Sequence, residues 1–183
     1  MLEHYLRLPE RYYRRDHYYD FAHFFAPVPK TARVLNVGCG RGASLKEYPK
    51  GRGVDFNTKL FKLWEEQGVE DRCAIADVAK GLGYETWDFD WTISTDFFEH
   101  LQPEAVEAAV REVVRVAPAG RHVIDLLQES GFRGPNGENL HPSANDAAFW
   151  QDAFKNAGAL DLSAVLRRQH LFLCYGETVD KAV

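Results

Sequence analysis

The stretch "ARVLNVGCGRGASL", residues 32–45, constrains this chain most: a mostly apolar run ends in glycines at positions 38, 40 and 42 and passes straight into a helical pattern. A short apolar run closed by glycine suits a strand buried on both faces, as in a parallel sheet. Glycine lacks Cβ, takes positive φ and lets a ligand come close to the backbone. In open α/β sheets the ligand crevice lies beyond the carboxyl ends of the strands, and the first strand-to-helix turn is its usual floor. One turn thus predicts both a sheet type and the position of a binding site.

The rest of the chain continues the strand and helix alternation that such a sheet needs. "GASLKEY" (42–48) reads as a helix and "GRGVD" (51–55) as a second strand. Asn57 is placed to cap a helix over "TKLFKLWEEQ" (58–67), with Gly68 as its stop. "CAIAD" (73–77) and "DFDWTIST" (88–95) supply two more strands. Behind Pro103, residues Val106, Val110, Val113 and Ala117 recur at helical spacing, and "RHVIDLL" (121–127) is a fifth strand. A loop rich in glycine and proline runs from Gln128 to Pro142, after which Ser143 and Asp146 predict a capping box for a helix over residues 144–158. The β-rich runs at 160–168 and 170–176 are joined too tightly to pair other than antiparallel.

Residues 5–27 differ in texture, with five tyrosines, three phenylalanines and four arginines. They predict a helix from near Pro9 to before Pro27, which reads either as a lid over a flat or anionic substrate or as an amphipathic cover on one face of the sheet. The 22 Lys+Arg against 27 Asp+Glu leave a net charge of −5, with no global attraction to nucleic acid. A local arginine-rich face keeps RNA open as a partner. No apolar run reaches membrane-spanning length and "PERYYRRDHYY" is no signal-peptide core, so the expected location is the cytoplasm. Cys39, Cys73 and Cys174 are widely separated and read as reduced thiols.

Asp55 ends the second strand near the distance at which a carboxylate accepts hydrogen bonds from ribose hydroxyls, which points to a nucleoside ligand. Gly38, Gly40 and Ala43 also satisfy the loose dinucleotide pattern G-x-G-x-x-G/A, whereas no Gly-Lys-Ser/Thr follows to make a P-loop. Taken in order, "VLNVGCGRG", "GVDFN", "AIADV", "FDWTISTDFFEHL" and "EVVRVAPAGRHVI" resemble the class I S-adenosylmethionine-dependent methyltransferases, in particular the small-molecule type 11/12-like branch. The resemblance covers residues 32–127 by motif, and its most discriminating part is the segment after the fourth strand.

It implies a Rossmann-like, doubly wound, mostly parallel seven-stranded α/β sheet with an antiparallel last strand and helices on both faces. One domain would span residues 1–183, with 1–29 as an N-terminal helical lid or cap and 30–183 as the core. S-adenosyl-L-methionine would be the cofactor and S-adenosyl-L-homocysteine the product. By resemblance, Gly38, Cys39, Gly40 and Gly42 cradle its methionine part, Asp55 holds the ribose hydroxyls and Phe56 lies against the adenine. Asp77 and the amide of Val78 read the adenine edge, while Thr95 and Asp96 line the amino-acid end. Asn36 stands where the family more often has an acid, and "APAG" where it tends to show Lys-Pro-Gly-Gly.

A sulfonium methyl is already activated, so transfer needs alignment and exclusion of water rather than a metal. A base is needed only for an acceptor that must lose a proton. His100 is the first candidate and His141 the second; His100 also reads as a helix-start residue whose ring bonds a nearby carbonyl and shapes the pocket. Glu99 reads as a crevice carboxylate or a first-turn acid, and His4, His17, His23, His122 and His170 show no ligand spacing. The expected acceptor is an O, N or C nucleophile of a small organic molecule. The alternatives are RNA or another macromolecule as acceptor, a non-catalytic cofactor-binding module, or an NAD-binding oxidoreductase.

Overall fold

The computed structural model describes residues 15–127, 133–134 and 137–176. Within them seven strands, β1 (Val34–Val37), β2 (Arg52–Asp55), β3 (Cys73–Ile75), β4 (Trp91–Thr95), β5 (Ala119–Asp125), β6 (Ser163–Arg167) and β7 (His170–Tyr175), form one sheet. Their order is β3-β2-β1-β4-β5-β7-β6, parallel throughout except that β7 runs antiparallel to both β5 and β6. The chain winds from β1 outward to β3 and then returns to β4, so the direction of winding reverses between β1 and β4. Ligands of such sheets bind at the carboxyl ends beside that reversal.

All of β1 is buried, and its side chains alternate between two cores. Leu35 and Val37 pack with Val110 and Val113 of α3 (Pro103–Val116) and with Trp150 and Phe154 of α4 (Ala147–Asn156). Val34, on the opposite face, packs with Ile93, Val123 and Phe172 under Tyr18 and Phe25 of α1 (Tyr18–Phe25). The aromatic stripe therefore covers the sheet, and the expected helix start near Pro9 lies outside the described residues. Much of the loop from Gln128 to Pro142 also lies outside them.

Local signals set most element ends. Pro103 occupies the first turn of α3, whose buried stripe is Val106, Ala109, Val110, Val113 and Val116. Asn57 accepts the Lys59 amide at 3.1 Å ahead of a 3₁₀ turn that leads into α2 (Phe61–Gln67), and left-handed Gly68 ends it. The expected helix over 42–48 is only a 3₁₀ turn, Ala43–Lys46. Pro49 explains its shortness, because proline disfavours helical backbone in the residue before it. No capping box forms before α4: Asp146 alone caps, accepting the Phe149 amide at 2.8 Å, while the Ser143 hydroxyl donates to the Leu101 carbonyl at 2.7 Å. Among the described residues no helix is long and apolar enough to cross a membrane.

Phe154 is fully buried, against Phe98, His122 and Tyr175, and ties α4 to the sheet. Phe154→Ala is expected to lower unfolding free energy by about 3–5 kcal/mol in urea titrations. A loss below about 1 kcal/mol would show that α4 does not clamp the sheet.

Candidate functional site

A cavity of about 640 Å³ lies at the carboxyl ends of β1, β2, β4 and β5, within the size range of cofactor pockets. Asn36, Gly38, Cys39 and Gly40 form one wall, and Asp55 with Phe56 the next. Thr95, Asp96, His100 and His141 line it farther along. Gly42, Asp77 and Val78 are not among its lining residues.

The three glycines have different reasons. All have left-handed φ, +68° at Gly38, +52° at Gly40 and +77° at Gly42. A Cβ on Gly38 would sit 2.5 Å from the Phe97 ring, and one on Gly42 would sit 2.9 Å from Val69, so both make room for protein. At Gly40 nothing lies within 4 Å of that position, and the turn is bare toward the cavity there. Gly42 instead leads the chain into the 3₁₀ turn.

Four of the turn's amides are already engaged. The Gly38 and Cys39 amides donate to the Val54 carbonyl at 2.9 and 3.0 Å, the Gly42 amide to Cys39 at 2.9 Å, and the Gly40 amide to Asp55 Oδ2 at 3.0 Å. Trp64 Nε1 fixes the Gly40 carbonyl from the other side at 2.7 Å. A pyrophosphate needs unengaged amides at the start of a true helix. Here those four amides are bonded, the following element is a four-residue 3₁₀ turn, and a carboxylate stands beside it. The geometry disfavours a dinucleotide and suits a ligand whose tail carries no phosphate.

Asp55 holds this arrangement together. Its Oδ1 accepts the Asn57 amide at 3.0 Å while Oδ2 accepts that of Gly40. Burial raises its pKa to about 6, against the lowering effect of those backbone donors. Each carboxylate oxygen has a second lone pair for a ligand hydroxyl. Asn36 donates from Nδ2 to the Ser44 hydroxyl at 2.6 Å, which leaves its amide oxygen as its acceptor. Asp77 accepts the Ala79 amide at 3.2 Å and caps the 3₁₀ turn Val78–Lys80, and the Val78 side chain is buried in the core.

At the far end Asp96 adopts a left-handed φ of +46°, its amide bonded to the Val123 carbonyl at 3.0 Å. His17 Nδ1, just before α1, reaches its Oδ2 at 2.5 Å, and His170 Nε2 lies 4.0 Å from Oδ1. Arg15 to Tyr18, Asp20 and Phe21 line the cavity, and Tyr18 and Phe25 of the same helix also pack on the sheet. His100 donates from Nδ1 to the Leu140 carbonyl at 2.6 Å, which leaves Nε2 as an acceptor. Burial, then neighbouring His141, push its pKa down to about 4, and burial lowers that of His141 as well. The two rings meet edge to face with centroids 4.6 Å apart. Glu99 lies behind this wall, fully buried, with Oε1 accepting the Asp125 amide at 3.0 Å. Burial, then the nearby Asp96 charge, raise its pKa well above the ordinary value.

Sequence reasoning missed Arg15, His17, Arg41, Asp125 and His170 as cavity residues. Asp125 carried a usable signal, a carboxylate ending a strand as Asp55 does. The others meet only through the sheet order. The tryptophans divide: Trp64 and Trp150 are buried, whereas Trp87 is exposed.

Comparison with known proteins finds similar sequences and folds. Residues 35–124 match the family described as "Methyltransferase domain". The chain is 30% identical over 127 residues to ajmaline N-methyltransferase of Rauvolfia serpentina, a match covering 63% of this chain and 43% of that enzyme. The chain therefore spans less than half the length of this curated relative. The PH0226 protein of Pyrococcus horikoshii OT3 shares the fold with a TM-score of 0.69 at 18% identity, over 96% of this chain and 99% of that one. PigF, solved with SAH, superposes with a TM-score of 0.58 at 18% identity, over 80% of this chain and 51% of that one.

Gly38→Ala and Gly40→Ala separate the two uses of glycine. Both force alanine into left-handed backbone at about 1–2 kcal/mol. Only the first also drives a methyl into Phe97, adding about 1–3 kcal/mol. Thermal denaturation is expected to show the larger loss for Gly38→Ala, and equal losses would contradict the packing described.

Proposed function

We propose that the chain is a class I S-adenosylmethionine-dependent methyltransferase, which moves the methyl group of S-adenosyl-L-methionine to an O, N or C nucleophile of a small organic acceptor. One observation carries the proposal: a strand-end carboxylate, Asp55, and a bare turn position, Gly40, face the same cavity and are bonded to each other. The residues fit the cofactor, because the cavity offers a carboxylate for a ribose diol and a phosphate-free turn beside it.

When bound, the sulfonium supplies an activated methyl carbon. Asp55 accepts the ribose hydroxyls, Phe56 flanks the base, and Asn36 with Thr95 and Asp96 receives the amino-acid end. Gly42 leads the chain into the 3₁₀ turn beside the cavity, and Asp77 with the Val78 amide is left for the adenine edge. His17 pairs with Asp96 at the cavity wall. His100 and His141 face the cavity as neutral imidazoles at physiological pH, able to accept a hydrogen bond from the acceptor. A small acceptor is supported by the name of the curated relative and by the net charge of −5, which gives no general pull toward a polyanion.

Calorimetry with S-adenosylmethionine, S-adenosylhomocysteine and NAD tests the proposal. Both sulfur nucleosides are expected to bind and NAD not to; tight binding of NAD alone would overturn it. Binding without turnover on a broad acceptor panel that includes RNA would favour a cofactor-binding module instead. The raised pKa of Asp55 adds a pH signature. Hydroxyl donors favour its ionised form, so affinity for S-adenosylhomocysteine is expected to be level above pH 7 and to fall as the pH drops through about 6. Below that point it should weaken by roughly tenfold per pH unit. Affinity that is unchanged down to pH 5 would remove the carboxylate from the contact.

A further inference from the structure

We infer that Glu99, His100 and His141 form a binding site for one divalent transition-metal cation at the acceptor end of the cavity. Each offers one ligand atom, and the three atoms lie within 4.8 Å of one another. Two ligands each about 2.1 Å from a shared ion stand at most about 4.2 Å apart, so closing the set requires side-chain shifts of about an ångström. Glu99 lies on the short turn after β4, and His141 lies in the loop after β5. The parallel pairing of those strands brings them together, and no local spacing announces it.

Three features of the cluster suit a cation. Glu99 is fully buried, and its Oε2 has no hydrogen-bond partner while Oε1 is held by the Asp125 amide. Burial disfavours the ionised form of a carboxyl whose oxygen has no partner, and a bound cation offsets that cost as the carboxyl releases its proton. His100 is fixed through Nδ1 by the Leu140 carbonyl at 2.6 Å, which orients its Nε2 lone pair. Metal-ligating histidines are held from behind in this way. Asp96 and Asp125 add two carboxylates that interact electrostatically with Glu99 and His141, opposed at His141 by His17.

The donor set selects the ion. Two imidazole nitrogens with one carboxylate suit first-row transition cations, whereas magnesium and calcium prefer all-oxygen sets. His100 and His141 line the cavity, so a cation held by them keeps open positions toward it. It would there take an oxygen of the acceptor, polarise it and fix its direction. That last role rests on the methyl-transfer proposal, but the binding of the cation does not.

Cobalt(II) is the probe, added to chelator-treated full-length protein and monitored by its visible absorption and by calorimetry. Wild type is expected to bind one equivalent saturably, with the spectrum of a nitrogen- and oxygen-ligated ion. Glu99→Gln and His141→Ala are each expected to weaken binding by more than about tenfold. Circular dichroism and S-adenosylhomocysteine affinity, measured on the same samples, report folding and the cofactor half separately. If Glu99→Gln does not fold, His141→Ala, which leaves the Asp125 bond to Glu99 in place, makes the comparison. Absence of saturable binding by wild type, equal affinity in a folded variant, or tighter binding of magnesium than of cobalt would overturn the inference.

Discussion

The bond between the Asp55 carboxylate and the Gly40 amide organises this molecule's functional end. It ties the end of β2 to the turn after β1 and fixes the backbone that a ligand must approach. Trp64 secures the same residue from its carbonyl side, so Gly40 is held at both polar atoms. A carboxylate in that position has two effects. It engages a donor that a phosphate would need, and it offers lone pairs to hydroxyls instead.

The sheet supplies the second constraint. Reversal of the winding between β1 and β4 leaves a cleft at the carboxyl ends, where the strand ends and the turns after them wall the cavity. Asp55, Asp96 and Asp125 sit at or just beyond the ends of β2, β4 and β5, which makes the floor acidic. His17, His100, His141 and His170 gather on that acidic floor. Burial keeps His100 and His141 neutral, so this end is rich in lone pairs. That is the physical basis for expecting a cation or a hydrogen-bonding acceptor there rather than an anion.

Much of this was legible in the residues. The strand succession and the antiparallel closing hairpin were readable from alternating patterns and a tight last connection, because those depend on local periodicity. Asp55 and Gly40 were readable because a strand-end acid and a glycine turn have few other uses. The helix over 42–48 was overread, since Pro49 limits it to a 3₁₀ turn. Ser143 was misassigned because its hydroxyl finds Leu101, distant in sequence, before it finds a helix amide. His17 and His170 carried no signal, because only the folded sheet brings them to Asp96. Residues joined by topology alone are beyond what spacing can reveal.

The most direct test is a crystal structure of the protein with S-adenosylhomocysteine. Both ribose hydroxyls are expected within about 2.6–3.0 Å of the Asp55 carboxylate oxygens, with the Gly40 amide still bonded to Oδ2. A nucleoside seated elsewhere, or an Asp55 side chain rotated out of the cavity to admit it, would contradict the account.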